Sequence, residues 1–148
     1  MNDPDPAAAE LHGKVLYIED NPVNYAVVEA GLVHLPRVQL IRAATGLDGV
    51  RMVHSERPDF VLLDMHLGDI SGLEVVRRIS DVIAARRLRV TILTSDSFSM
   101  DVIKAMSLGA FEYWVKPVDP QVLEAGVRRA LSGMRAEATR TLRKGQLR

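Results

Sequence analysis

Residues 61–72 read VLLDMHLGDISG. Three apolar residues lead into Asp64, and a glycine-punctuated turn follows before a second apolar segment begins. An uninterrupted apolar run of this kind suits a strand covered on both faces, as in a parallel sheet sandwiched by helices. The acid at its end needs a reason, because a buried, unpaired carboxylate is costly unless it takes up a proton or meets a cation. Asp64 therefore either sits at an exposed strand end by accident or belongs to a site built around it.

The flanking sequence repeats the strand-then-helix pattern. Lys14–Glu19 is an apolar strand ending in acid, and Asn21-Pro22 supplies a helix cap and a first helical residue. Val23, Ala26, Val27, Ala30 and Leu32 follow at helical spacing. Val38–Ile41 is a second strand, and Thr45 caps a helix carrying Leu47, Val50 and Val53 that Pro58 closes. Asp59–Leu63 is the third strand. Ser71 and Glu74 form a capping box for a helix with Leu73, Val76 and Ile79 inward. Arg89–Thr94 is the fourth strand; Ser99 caps a helix with Val102, Ile103 and Met106, and Gly109 ends it. Glu112–Val115 is the fifth strand, and Asp119-Pro120 opens a last helix with Leu123, Val127 and Leu131. Five strands alternating with five helices predict a doubly wound α/β domain over residues 14–132, between a tail (1–13) and a basic extension (133–148).

Composition narrows the function. The chain has 148 residues, enough for one domain with a real core, and its 47% apolar content excludes a disordered chain. Lys plus Arg and Asp plus Glu both number 19, so no global charge points to nucleic acid or acidic membranes. The absence of cysteine excludes disulfides and thiolate metal sites. No apolar run approaches the roughly 20 residues that span a bilayer, and MNDPDPAAAE is not a signal peptide, so a cytoplasmic protein without membrane contact is expected.

In doubly wound sheets ligands gather beyond the carboxyl ends of the strands. Glu19, Asp20, Asp64, Thr94, Ser95 and Lys116 all fall there. Three clustered carboxylates invite a hard cation, and Mg²⁺ suits an all-oxygen site that accepts phosphate. Lys116 would pair with Asp64 in the empty site and with an anion in the filled one, and the Thr94 hydroxyl could donate to the same anion. That is a phosphoryl-transfer layout with a carboxylate placed to attack.

These landmarks, in order and suitably spaced over residues 14–132, resemble the receiver domain of two-component response regulators. EDNPVN (19–24) is further similar to receivers attached to hybrid sensor kinases. The resemblance implies a flavodoxin-like (βα)5 fold with strand order 2-1-3-4-5. It implies that Asp64 accepts a phosphoryl group from a histidine kinase or histidine phosphotransfer protein. Mg²⁺ would be held by Glu19, Asp20, Asp64 and the backbone carbonyl of His66, while Thr94 and Lys116 bind the phosphoryl oxygens. Tyr113 matches the family's switch aromatic, and the helix 4–strand 5–helix 5 face would be read by a downstream protein. Whether phosphorylation drives homodimerisation stays open.

Gly68 stands where the family often has a proline, freeing the loop, and Ser95 stands where a smaller residue is usual. The side chains of His66 and Asp96 should flank the path of a hydrolytic water and tune the phosphoryl lifetime. Tyr113 also suits plain packing, Trp114 reads as apolar cover, and His12, His34 and His54 lack metal spacing. The five Lys or Arg of residues 133–148 read as a solvated helix end or a linker, with no nucleic-acid partner expected; Gly133 ends the last helix or Met134, Ala138 and Leu142 prolong it. Little chain follows residue 132, so no output domain is expected within it.

Two other readings remain. The sequence lacks a Rossmann glycine turn and a P-loop, but a Mg²⁺-dependent α/β phosphatase also uses an aspartyl nucleophile, normally in a DxD pattern on the first strand. A receiver-like platform that binds proteins without being phosphorylated is the second. Neither an enzyme of independent turnover nor such a platform fits the full set of groups as well.

Overall fold

All five helices begin where a short polar side chain captures their first amides. Asn21 accepts from Val23 and Asn24, Thr45 from Asp48, Ser71 from Glu74, Ser99 from Asp101, and Asp119 from Gln121. In the computed structural model, which describes residues 10–96 and 99–132, the order is β1 (His12–Ile18), α1 (Pro22–Gly31), β2 (Arg37–Ala43), α2 (Gly46–Ser55), β3 (Phe60–Asp64), α3 (Gly72–Arg86), β4 (Arg89–Thr94), α4 (Met100–Ser107), β5 (Glu112–Val115) and α5 over 120–132. All pairings are parallel, in the order β2-β1-β3-β4-β5. The doubly wound (βα)5 expectation is met.

Alternation along the strands feeds two cores. Leu16, Ile18, Val61, Leu63, Val90 and Ile92 face α2, α3 and α4, meeting Val53, Leu73, Val76, Ile79 and Val102. Val15, Tyr17, Phe60, Leu62, Leu93 and Trp114 face α1 and α5, meeting Val28, Leu32, Leu123, Val127 and Leu131. Burying each such side chain contributes about 1.5–3 kcal/mol. Gly126 is required by this second core, since a Cβ there would collide with the Trp114 ring.

Several local expectations are corrected. Of the residues at helical spacing, Leu32, just past the end of α1, is buried, whereas Val23 and Val27 are 67% and 64% exposed and Ala26 and Ala30 are exposed too; within α1 the buried residue is Val28. Leu47 and Ile103 also face outward. The capping box is half formed: Ser71 accepts from the Glu74 amide, but the Glu74 carboxylate turns to Arg78 Nε at 3.1 Å. β1 starts at His12, two residues earlier than expected, with Leu11 buried beside it. Gly109, at φ +111, follows α4 as anticipated. The basic stretch 133–148, the fate of Gly133 and residues 1–9 lie outside the described residues. Among the described residues, no helix is long and apolar enough to cross a membrane.

Candidate functional site

The register of the three central strands brings their carboxyl ends level, with Ile18 opposite Leu63 and Asp64 opposite Leu93. Just past β1, the Glu19 amide donates to Ala43 O at 3.0 Å, which carries the acidic pair over the sheet edge. Arg42, on β2, fixes the backbone there: its Nε donates to Glu19 O at 3.0 Å and its Nη2 to Asp20 O at 2.8 Å.

Glu19 is fully buried. Its Oε1 accepts from Asn24 Nδ2 at 3.0 Å and from the Asn21 amide at 3.2 Å, and Tyr17 Oη donates to its Oε2 at 3.3 Å. Burial first, then hydrogen bonding to Asp64 and its charge, push the carboxyl up to about 7, against the lowering effect of Asn24 and Lys116. Asp64 is 2% exposed. Its Oδ1 accepts from the His66 amide at 2.9 Å and its Oδ2 from Lys116 Nζ at 2.7 Å. Burial alone would raise Asp64; the bonds from Glu19, Lys116 and the His66 amide outweigh it and hold the carboxyl below its ordinary range. The two shifts run in opposite directions: burial and the adjacent Asp64 favour the neutral form of Glu19, while Glu19, Lys116 and the His66 amide favour the charged form of Asp64.

Lys116 Nζ also stands 4.0 Å from Glu19 Oε2, and the Lys116 amide donates to Thr94 O at 2.8 Å, tying the end of β5 to that of β4. Asp20 is exposed and completes a trio with Glu19 and Asp64 whose ligand oxygens lie within 4.8 Å of one another. Three acids face one ammonium here. Oxygen-only donors, surplus negative charge and one open carboxylate fit a hard divalent cation such as Mg²⁺.

The other expected residues lie around this centre. The Thr94 side chain is buried and bonded to the Asp96 backbone: Oγ1 donates to Asp96 O and accepts from its amide, each at 3.1 Å. His66 contributes its amide to Asp64, while its side chain is exposed. His66, Thr94 and Asp96 border one cleft of about 500 Å³ between the β3–α3 and β4–α4 loops. Tyr113 is 42% exposed, turned outward, whereas Trp114 is buried, as its reading as apolar cover anticipated.

Arg42, Tyr17 and Asn24 were not anticipated as supports of the acidic pair. Asn24 had a signal, lying inside the quoted EDNPVN stretch; Arg42 had none, because only strand pairing brings it to residues 19 and 20. Asp69 was equally silent: its Oδ1 accepts from the Gly46 amide and its Oδ2 from the Leu47 amide, both at 2.9 Å.

Residues 15–128 match the family model described as the response regulator receiver domain. The transcriptional regulatory protein AfsQ1 of Streptomyces coelicolor is 34% identical over 133 residues, which cover 90% of this chain and 57% of AfsQ1. The chain thus spans little more than half of that relative. A CheY-like receiver domain structure from Methanospirillum hungatei superposes with a TM-score of 0.76 at 20% identity, covering 85% of this chain and 98% of that one, a likeness of fold. The receiver domain of a sensor histidine kinase from Pseudomonas aeruginosa, described with a magnesium ion coordinated in its active-site cleft, gives 0.72 at 29% identity, covering 82% and 98%.

Proposed function

The chain belongs to the response regulator receiver family, and from that premise we propose that it is a phosphorelay module in which Asp64 accepts a phosphoryl group from a histidine kinase or histidine phosphotransfer protein. The observation that carries this reading is the placement of Asp64: buried at the end of β3, within 2.7 Å of Lys116 Nζ and beside two further acids. Glu19, Asp20, Asp64 and the His66 carbonyl would hold Mg²⁺, which would supply charge neutralisation for the incoming phosphate. An Asp64 oxygen attacks phosphorus, the phosphorus–nitrogen bond of the donor breaks, its electron pair returns to the imidazole, and an acyl phosphate remains. Lys116 exchanges its bond to Asp64 for one to a phosphoryl oxygen. Thr94 leaves the Asp96 backbone to donate to another, and Tyr113 turns into the space it vacates. His66 and Asp96, facing the shared cleft, govern the approach of water and hence the lifetime.

Partner contact is supported on two sides. The exposed Val27 of α1 borders an apolar cleft of about 400 Å³ whose lining includes Lys116, Pro117 and Leu123, suited to a protein that presents a phosphohistidine. Met100, Ile103, Tyr113, Val115 and Val122 expose apolar surface on the α4–β5–α5 face, suited to a downstream protein. We place the module in the cytoplasm, over residues 14–132, as a free regulator or as part of a larger kinase.

Incubation with acetyl phosphate and Mg²⁺ tests the reading. Stoichiometric phosphoryl addition, dependent on the metal and lost in Asp64→Asn, is expected. No adduct would leave a constitutive binding platform, and sustained turnover of a generic phosphomonoester would indicate a phosphatase.

A further inference from the structure

The β3–α3 loop supplies the His66 amide to Asp64 and passes Gly68 close to Asp20, yet it carries glycine where a rigid residue would hold it. A Cβ built on Gly68 would lie 3.5 Å from Asp20 Oδ2, so the loop backbone borders the acidic trio directly. At its C-terminal end the loop is pinned by the Gly72 amide donating to Met65 O at 3.1 Å. At its tip stands Asp69, bridging the first two amides of α2, an element that is not itself part of the site. Thr45 already caps α2 through the Asp48 amide, so Asp69 is an addition to the helix's own cap.

We infer that Asp69 is a positioning residue, whose two bonds to the start of α2 hold the β3–α3 loop so that His66 and Gly68 keep their places against Asp64 and Asp20. The inference rests on the receiver reading for its functional consequence, but the geometry it asserts exists without phosphate or metal. The carboxyl of Asp69, which partial desolvation would raise, is held below its ordinary range by the Leu47 and Gly46 amides, consistent with a fully engaged anion. A proline at 68 would substitute for the tether. Gly68 lies outside the left-handed region, has ordinary space at its Cβ, and its amide makes no backbone hydrogen bond among the described residues.

Amide hydrogen exchange in the metal-free protein decides the matter. In Asp69→Ala the His66 amide should exchange about tenfold faster or more, beyond any global change. Thr45→Ala, which weakens α2 at its own cap, should leave that amide alone, and Gly68→Pro in the Asp69→Ala background should restore it. Titration with Mg²⁺ alone should show about tenfold weaker binding in Asp69→Ala, recovered by the same proline. Should Asp69→Ala not fold, Asp69→Asn, which satisfies only one of the two amides, should give an intermediate rate. An unchanged His66 amide, an equal response to Thr45→Ala, or an effect that proline does not recover would overturn the inference. If the wild-type chain binds no Mg²⁺, the phosphorelay reading fails while the exchange measurement still decides the role of Asp69.

Discussion

Replacing Glu19 with glutamine should stabilise the metal-free protein, and only above a definite pH. Glu19 is fully buried, and burial, followed by the adjacent Asp64, raises its carboxyl from 4.5 to about 7. A carboxyl raised on folding favours the native state while both states are protonated, below the unfolded value, and that advantage is lost as pH climbs through the folded value. The window is therefore pH 4.5 to about 7. At roughly 1.4 kcal/mol per pH unit, the charged Glu19 costs the folded state about 3 kcal/mol once the window is passed. Glutamine keeps the shape and carries no charge, and its amide offers Asp64 the proton that neutral Glu19 does. Urea denaturation in EDTA should show Glu19→Gln and wild type alike near the bottom of the window and the variant ahead by about 3 kcal/mol above it. Mg²⁺ should then narrow or reverse the gap, since a ligand bound only by the native state stabilises by mass action and the variant has lost a carboxylate to bind it. A gap that stays constant with pH, or wild type remaining ahead in EDTA at about pH 8, would refute the raised carboxyl of Glu19.

Three further outcomes are expected. Gly126→Ala should lower stability by about 1–3 kcal/mol in chemical denaturation and change the Trp114 emission, because the new Cβ would occupy the indole's place. Gly72→Ala should reduce both stability and the acetyl phosphate labelling of Asp64: its Cβ would fall 2.7 Å from Met65 Cα and 2.8 Å from Asp64 O, so backbone at the acceptor must move, and labelling unchanged at saturating Mg²⁺ would contradict this. The double variant His66→Ala, Asp96→Ala should alter the phosphoryl half-life in a single-turnover decay without lowering the labelled fraction; an identical half-life removes both side chains from the hydrolytic path.

The parts legible in sequence share one property: their signal is local. An apolar run closed by an acid, a serine or asparagine ahead of a helical stretch, and Lys116 after a short strand each announce themselves within a few residues. Parallel topology then does the assembling, because carrying each strand's carboxyl end to one edge requires no information beyond the alternation of strands and helices. Asp64, Glu19, Asp20 and Lys116 met for that reason. The outward turn of α1 was not legible in this way. Val23, Ala26, Val27 and Ala30 repeat at a helical interval that equally well describes a stripe facing a partner, and periodicity alone does not say which side of a helix is water.

The supporting residues were illegible for a different reason, and it bears on how the site works. Arg42 reaches residues 19 and 20 only through the pairing of β2 with β1, and Asp69 reaches Gly46 and Leu47 across two elements; neither contact leaves a trace in spacing. All four bonds are made to backbone, so they constrain where the acidic loops run without adding a side chain to the acidic trio. A chain can therefore keep the four charged groups that chemistry demands and still differ from its relatives in how firmly the loops bearing them are held. The residues that the proposed phosphoryl transfer needs are written locally, whereas those that set the stiffness around them are written in the fold, and differences in metal affinity among proteins with the same charged groups should trace to the second set.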